Sequence, residues 1–377
     1  MTQIHHRPLV VALALGLGAL TLAPQAWAQM EQQQRPMTMR EQRAARQAEL
    51  NRGNEEAAEQ NKPAVYPNAT RQQPDGKASP RLLPKLKKMQ ERFEKDDWAG
   101  VMADADAIGA SSDASAYDKS FAYSMAGNAA ASADQQAKAA EYFAKAIAAN
   151  GLDNDSHYAT MYNLAVIQYG EEQYPAALAT MDRFLAETKS DKPEHLSFRA
   201  GILANMGRDA EAAVVYQDLV AKNPDDKRLL MNAVAALQGA EKFDQANVLL
   251  EGAFKRGMLT EERELRSLYV GYMNAQRWDD AQRVIEDGVA KGILKPGPDL
   301  ANAYQLLAQN AFFADKVPLA IELYTRALPM APDGEVYLNL AKVLAYAGRK
   351  AEAREAARQA LAKGVKKPEE ANRIIAQ

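Results

Sequence analysis

The chain has 377 residues, with 46 basic and 49 acidic side chains and a net charge of −3. A value so near neutral opposes strong nucleic-acid binding, which draws on dense positive charge, and no nucleic-acid partner is expected. There is no cysteine, which excludes disulfides, lipid attachment at cysteine and thiol nucleophiles, and the 4 histidines do not cluster as a zinc set would.

At the amino terminus, His5, His6 and Arg7 precede an apolar run over residues 9–23, Pro24 ends it, and Ala26-Trp27-Ala28 offers a small-x-small cleavage site. The pattern predicts a secretory signal peptide over residues 1–28, cleaved after Ala28, and a periplasmic mature chain that starts at Gln29. An uncleaved anchor is the alternative, although the apolar run is shorter than the ~20 residues that span a bilayer. Membrane contact is therefore expected only through partners. Residues 29–80 are rich in Gln, Arg, Glu and Pro and poor in large apolar side chains, a composition that predicts a disordered or partly helical arm. Within it, residues 37–60 carry helix formers and opposite charges able to pair at i+4, without a continuous apolar stripe. Pro63, Pro67, Pro74 and Pro80 keep the last stretch extended or irregular.

From residue 81 onward the chain repeats. Val101, Ala139, Ala177, Ala212, Ala246, Ala281, Ala320 and Ala353 follow one another at intervals of 33 to 39 residues, each between helix-like stretches, and such a period marks a helical repeat array. Residues 195–226 make the clearest unit. Leu196, Ala200 and Leu203 form one apolar stripe and Ala212, Tyr216 and Leu219 a second, with Gly207 at the turn and Pro224 ending the second helix. Small Ala200 and Ala212 are expected where the two helices cross.

This unit resembles the tetratricopeptide repeat (TPR). The family pattern has an aromatic or large apolar residue at position 4, small residues at 8 and 20, an aromatic at 24, alanine at 27 and proline at 32. Tyr304, Ala308, Ala320, Tyr324, Ala327 and Pro332 match all six in the seventh unit. In the fifth and sixth units Leu230 and Leu265 stand in for the first aromatic, while Val234 and Tyr269 replace the small residue at position 8. Gly151, Gly257, Gly292 and Gly364 end several second helices where the family has proline, and glycine suits a helix C-cap. The resemblance covers residues 81–367 and implies an all-α, TPR-type α-solenoid, a right-handed superhelix of about eight hairpins. Residues 368–377, led by Lys366, Lys367, Glu369 and Glu370, are expected to form a polar C-terminal cap.

Two further stretches, residues 256–268 (RGMLTEERELRSL) and 286–295 (EDGVAKGILK), resemble the periplasmic TPR proteins that accompany TonB–ExbB–ExbD energy-transducing systems. That likeness implies a scaffold supporting TonB-dependent outer-membrane transport, with TonB-complex components or outer-membrane receptors as partners. An adaptor in envelope, cell-wall or pilus assembly is the alternative within the same class.

Signatures of chemistry are missing from the sequence. It holds neither a Walker-type phosphate loop nor a GxSxG elbow. Asp96-Asp97, Asp225-Asp226 and Asp279-Asp280 fall at helix starts or turns, where aspartate caps. An envelope hydrolase with a carboxylate site would need several of them to converge. No catalytic residue, metal ligand or cofactor is expected.

What the family implies instead is a concave face lined by the first helices. Carried over position by position, that face comprises Tyr162, Asn163, Val166 and Tyr169 in the third unit and Met231 and Asn232 in the fifth. Arg263, Arg266 and Met273 follow in the sixth, Gln305, Gln309 and Phe312 in the seventh, and Asn339 and Lys342 in the eighth. Such a lining suits an extended or helical peptide, with a basic patch at Arg263 and Arg266. The asparagines could instead serve only to stabilise their hairpins. The basic residues of a carboxylate clamp are incomplete, so capture of a free C-terminal carboxylate is not expected.

Overall fold

The computed structural model describes residues 63–377. The expected signal peptide and most of the arm lie outside the described residues. Within them the chain forms seventeen α-helices and no strand. Sixteen of the helices pair into eight hairpins: α1 Leu83–Phe93 with α2 Trp98–Gly109, α3 Ala116–Ser132 with α4 Gln136–Ala149, α5 Asn154–Gly170 with α6 Tyr174–Thr188, and α7 Pro193–Asn205 with α8 Asp209–Lys222. The array continues through α9 Lys227–Gly239 with α10 Phe243–Lys255, α11 Glu262–Asn274 with α12 Trp278–Ala290, α13 Pro298–Phe313 with α14 Val317–Ala327, and α15 Glu335–Tyr346 with α16 Lys350–Lys363. A last helix, α17 Pro368–Ala376, follows the eighth hairpin. Among the described residues each helix packs chiefly on its chain neighbours, so the hairpins stack one on the next as a TPR-type α-solenoid.

The small residues hold the hairpins together. Val101, Ala139, Ala177, Ala212, Ala246, Ala281, Ala320 and Ala353 each lie on a second helix, and none is more than 1% exposed. Twelve residues upstream, on the facing first helix, stand Met89, Gly127, Ala165, Ala200, Val234, Tyr269, Ala308 and Ala341, all buried. Where the upstream residue is large, as at Tyr269, the crossing still forms around Ala281, and in the first hairpin it forms between Met89 and Val101.

The hairpin turns follow a rule that composition does not announce. Five residues before every one of the eight markers sits a residue in the left-handed conformation: Asp96, Asp134, Glu172, Gly207, Glu241, Gln276, Asp315 and Gly348, with φ between 58° and 76°. At each turn a backbone N–H just beyond the left-handed residue reaches back to a first-helix carbonyl, as Gln173 N does to Gln168 O at 2.8 Å and Lys242 N to Leu237 O at 2.7 Å. Glycine takes this conformation without a Cβ penalty, whereas Glu and Gln do not. Glu172→Gly is therefore expected to stabilise the array by about 0.5–1 kcal/mol, read as a higher urea midpoint at unchanged slope. A midpoint that falls would show that the strain is relieved elsewhere.

Gly151 departs from its expected part as a left-handed cap. Asn150 takes that conformation at φ 56°, and Gly151 is small because a Cβ there would lie 2.2 Å from the Ala116 carbonyl carbon. Gly257, Gly292 and Gly364 do adopt positive φ after α10, α12 and α16. Aspartates cap as their positions suggest: Asp97 accepts from Gly100 N at 3.0 Å, Asp153 from Ser156 N at 2.8 Å and Asp226 from Leu229 N at 3.0 Å.

Residues 65–79, the end of the expected arm, are irregular, with a turn closed by Ala69 N donating to Tyr66 O at 3.2 Å, and they lie against hairpins 2 to 4. Val65 N donates to Asp155 Oδ1 at 3.1 Å, Thr70 N to Glu187 O at 2.8 Å and Ser79 N to Asp118 Oδ1 at 3.1 Å. The Arg71 guanidinium reaches Asn150 Oδ1 at 2.8 Å, Asn154 Oδ1 at 2.7 Å and Leu152 O at 2.9 Å. Tyr66 meets Tyr158 and Phe184 edge-on, both at 5.5 Å between ring centres. At the other end α17 buries Ala371 and Ile374 against α15 and α16 and offers Glu370 to Lys342 at 2.5 Å. It closes the apolar end of the array with a polar outer face.

Candidate peptide-binding groove

The first helices α9 and α11 stand side by side and bound an open groove of about 680 Å³. Met231, Asn232 and Gln238 project from α9, and Arg263, Glu264 and Ser267 from α11. Three of the expected residues, Met231, Asn232 and Arg263, therefore meet in one place. Two bonds between the helices set its width. Gln238 Nε2 donates to Ser267 Oγ at 3.0 Å, and Lys227 Nζ lies 2.8 Å from Glu264 Oε1.

Glu264 is almost wholly buried. Burial alone would raise its pKa, but Lys227 and the backbone N–H groups of Glu261 and Thr260 outweigh that and hold the carboxyl below the usual carboxylate range. Its Oε2 accepts from Thr260 N at 2.9 Å and Glu261 N at 3.0 Å, so the groove floor is an ionised, fully bonded carboxylate.

The expected basic patch is neutralised. Arg263 Nε pairs with Glu261 Oε2 at 2.9 Å, and Arg266 pairs with Asp299 of the next hairpin. With Lys227 and Arg228 facing Glu264 and Asp226 respectively, this part of the surface is mixed in charge. Met273 is 7% exposed and belongs to the core between α11 and α12, so it adds no groove surface.

In the third hairpin Tyr162 and Tyr169 do not touch each other. Both meet Phe198 of α7 at 5.5 Å, forming an aromatic strip across hairpins 3 and 4, and Asn205 Nδ2 donates to Tyr169 OH at 3.0 Å. Burial first, then Glu194, raises the pKa of Tyr162, keeping it a neutral hydroxyl. Val166 is half-buried on the same helix. In the seventh hairpin Phe312 contacts Tyr346 at 5.2 Å and Phe313 at 6.0 Å; Gln305 is half-buried and Gln309 exposed on the same helix.

Asn163, Asn232 and Asn339 are half-buried, and their amides hydrogen-bond to no described residue. A residue kept only to stabilise its hairpin would bond within it. The mapping from the family passed over Phe198 and Ser267, although they hold the repeat position of those asparagines in the fourth and sixth units. Applying the same spacing to every unit would have found them. A second hollow of about 690 Å³, lined by Phe243, Asn247, Val270 and Asn274, lies at the tips of hairpins 5 and 6 and contains none of the expected residues.

Among the described residues no three His, Asp or Glu side chains gather as a metal site would require. The acidic pairs cap helices or bond to arginines, as Asp280 does with Arg277 at 2.7 Å and Arg283 at 3.1 Å.

The fold is a TPR-type α-solenoid, and its first helices present aromatic rings and amides that bond to no described residue. The chain is similar to a TPR protein from Parabacteroides merdae, at 16% identity and a TM-score of 0.39 over 68% of this chain and 99% of that one. It is also similar to the C-terminal part of a TPR repeat-containing protein from Cytophaga hutchinsonii (18% identity, TM-score 0.45, 65% of this chain and 97% of that one). A third likeness is to YrrB, a TPR protein described as having an unusual peptide-binding site (22% identity, TM-score 0.38, 50% and 90%). No protein-family model matches the sequence, and no curated protein does.

Proposed function

We propose that the protein is a non-catalytic scaffold that holds a peptide segment of a partner protein along its first helices. The observation that carries this reading is the set of half-buried, unpaired amides at Asn163, Asn232 and Asn339, one of which lines the groove between α9 and α11. Such amides recognise the backbone of an extended or helical ligand, while Met231, Tyr162 and Phe312 supply contact area. The mixed charge of the groove favours a ligand that carries both signs or none. We place the scaffold in the periplasm, on the strength of the amino-terminal apolar run and the Ala26-Trp27-Ala28 site. The likeness of residues 256–268 to the TPR proteins of TonB systems makes TonB, ExbB, ExbD or an outer-membrane receptor the partner to seek first.

Photocrosslinking in cells tests the reading. A photoreactive residue at Asn232 is expected to capture a defined partner, whereas one at Gln282 on α12 is not. The pair Met231→Glu and Asn232→Ala is expected to reduce capture from a neighbouring site, Ser267, at least tenfold with helicity unchanged. Equal capture at both sites, or undiminished capture in the double variant, would remove the groove from the function. Capture of wall-assembly or pilus proteins would keep the scaffold and replace the TonB assignment.

A further inference from the structure

The strap formed by residues 65–79 is held at two points, and one buried histidine lies between them. At the first point the Tyr66 ring packs against Tyr158, Phe184 and His195, with Lys192 Nζ 5.5 Å from the ring centre, while the Val65 amide is held by Asp155. At the second, Arg71 makes four hydrogen bonds to Asn150, Leu152 and Asn154. Asn154, Asp155, His157 and Tyr158 belong to the first turns of α5, so both anchors grip the segment that carries His157.

The His157 side chain has no exposed surface, and among the described residues neither ring nitrogen has a hydrogen-bond partner. The charged groups that act on it are Arg71 of the strap, Arg183 and Glu187 of α6, and Asp153 at the start of its own helix. The Tyr158 ring meets the imidazole edge-on at 5.4 Å, and Arg71 is itself held by the neutral Asn150 just beyond α4. Two guanidiniums oppose a positive charge at His157, two carboxylates favour it, and no bonded acceptor is available to a second ring proton. An imidazolium is therefore unwelcome while the strap is closed.

We propose that the strap is an acid-released latch, closed over hairpins 2 to 4 while His157 is neutral and freed when His157 takes up a proton. The strap is suited to local release. It is tied mainly by hydrogen bonds to loop and helix-end groups and buries one large ring, so it belongs to the least stable part of the unit. Opening removes Arg71 from the vicinity of the imidazole, admits water to it, and uncovers the edge of Tyr158 and Phe184.

The direction follows from linkage. Burial first, then Arg71 and Arg183, lowers the His157 pKa from 6.5 to about 4 in the closed state. A histidine so depressed leaves the closed state at full strength above pH 6.5 and weakens it as pH falls toward 4. Arg183 stays on α6 when the strap opens, so the full return to an ordinary imidazole sets a ceiling: release at pH 5 is favoured by at most about 30-fold relative to pH 7.5. Imidazoles are the side chains that ordinarily titrate in this interval. His195 also lies under Tyr66, bonded through Nδ1 to Ser190 Oγ at 2.7 Å, and is flanked by Glu194 and Lys192; its pKa is lowered, chiefly by burial, and it serves as the control.

The test is hydrogen exchange of the full chain at pH 7.5 and pH 5.0, expressed as protection factors so that the intrinsic pH dependence of exchange cancels. The Thr70 amide, bonded to Glu187 O at 2.8 Å, is expected to lose protection at pH 5.0, by up to about 30-fold, while the amides of α9 to α16 keep theirs. His157→Leu, which removes no hydrogen bond, is expected to abolish the pH dependence, and His195→Gln to retain it. A carbon-13 NMR titration of histidine in the unmodified chain gives a second reading, independent of any variant: the His157 signal is expected to titrate together with loss of strap protection. Equal protection at the two pH values, a pH dependence that survives in His157→Leu, a His157 titration unlinked to the strap, or simultaneous loss of protection in α9 to α16 would each overturn the latch.

Discussion

Ala212→Arg is expected to split the array into two separately unfolding parts. Ala212 is fully buried on α8, in the helix pair α7 and α8 of the fourth hairpin. Arginine there adds volume to a packed interface, at about 1–3 kcal/mol, and carries a charge into a site with no partner, for several kcal/mol more. The sum exceeds what a single hairpin holds. In a linear array each hairpin is stabilised by its neighbours, so loss of the fourth removes the coupling between the first three and the last four. Two tryptophans report on the two sides: Trp98 begins α2 and Trp278 begins α12. Variants that keep one or the other are expected to show coincident urea transitions in the parent and separate ones with Ala212→Arg, the amino-terminal part melting first because it is shorter. A single coincident transition at the parent midpoint would mean that the crossing at Ala212 accommodates a long side chain.

The crossing residues were legible because burial of a small side chain at a fixed period leaves a mark in the sequence. The turns were not. Gly207 and Gly348 advertise a left-handed residue, but Asp96, Asp134, Glu172, Glu241, Gln276 and Asp315 adopt the same conformation with side chains that read in the sequence as residues facing water. The conformation is imposed by the hairpin and tolerated at a cost, so composition does not report it. Gly151 illustrates the reverse: its place after α4 suggested a cap, while its actual constraint is the close approach of Ala116, 35 residues earlier.

Distance along the chain accounts for the other differences. The prolines of residues 63–80 declared an extended or irregular segment, but the groups that hold it, Asp155, Glu187 and Asn150, lie between 79 and 117 residues away from their partners in the strap. Packing of so polar a segment depends on those partners and not on any apolar stripe of its own. Arg263 and Arg266 were legible as groove residues and misleading as a basic patch. The carboxylate that answers Arg266 sits 33 residues further on at Asp299, one repeat along, where only the stacking of hairpins brings it near. The aromatic strip was half-legible, since Tyr162 and Tyr169 were expected and Phe198, which joins them, was not.

Removal of the Glu264 carboxylate is expected to cost about 2–4 kcal/mol and to alter the groove more than any exposed charge does. The side chain is 1% exposed and satisfies three donors, two of them backbone N–H groups at the start of α11 and the third the ammonium of Lys227 on α9. Glu264→Ala leaves both amides without that acceptor and opens a small void, while Lys227, which is 32% exposed, can turn to water, so the loss falls short of that for a fully buried pair. Glu264→Gln keeps the volume and one acceptor oxygen and is expected to lose about half as much. Because the folded-state pKa is depressed, the stability that Glu264 supplies is complete above the ordinary carboxylate range and is lost as pH falls through the lower folded value. Urea midpoints measured between pH 7 and pH 3 should therefore converge for the parent and Glu264→Gln at the acid end. A double-mutant cycle with Lys227→Met isolates the ion pair, and a coupling below about 0.3 kcal/mol would show that the two helices are held by packing alone. Lys227–Glu264 and Gln238–Ser267 tie the two helices across the groove, beside the bond from Lys227 Nζ to Thr260 Oγ1 at 2.9 Å, so slackening the first widens the space between Met231 and Arg263 while leaving both side chains in place. Glu264→Ala should then weaken partner capture at Asn232 more than Arg263→Ala does, since Arg263 is 80% exposed and among the described residues pairs only with Glu261.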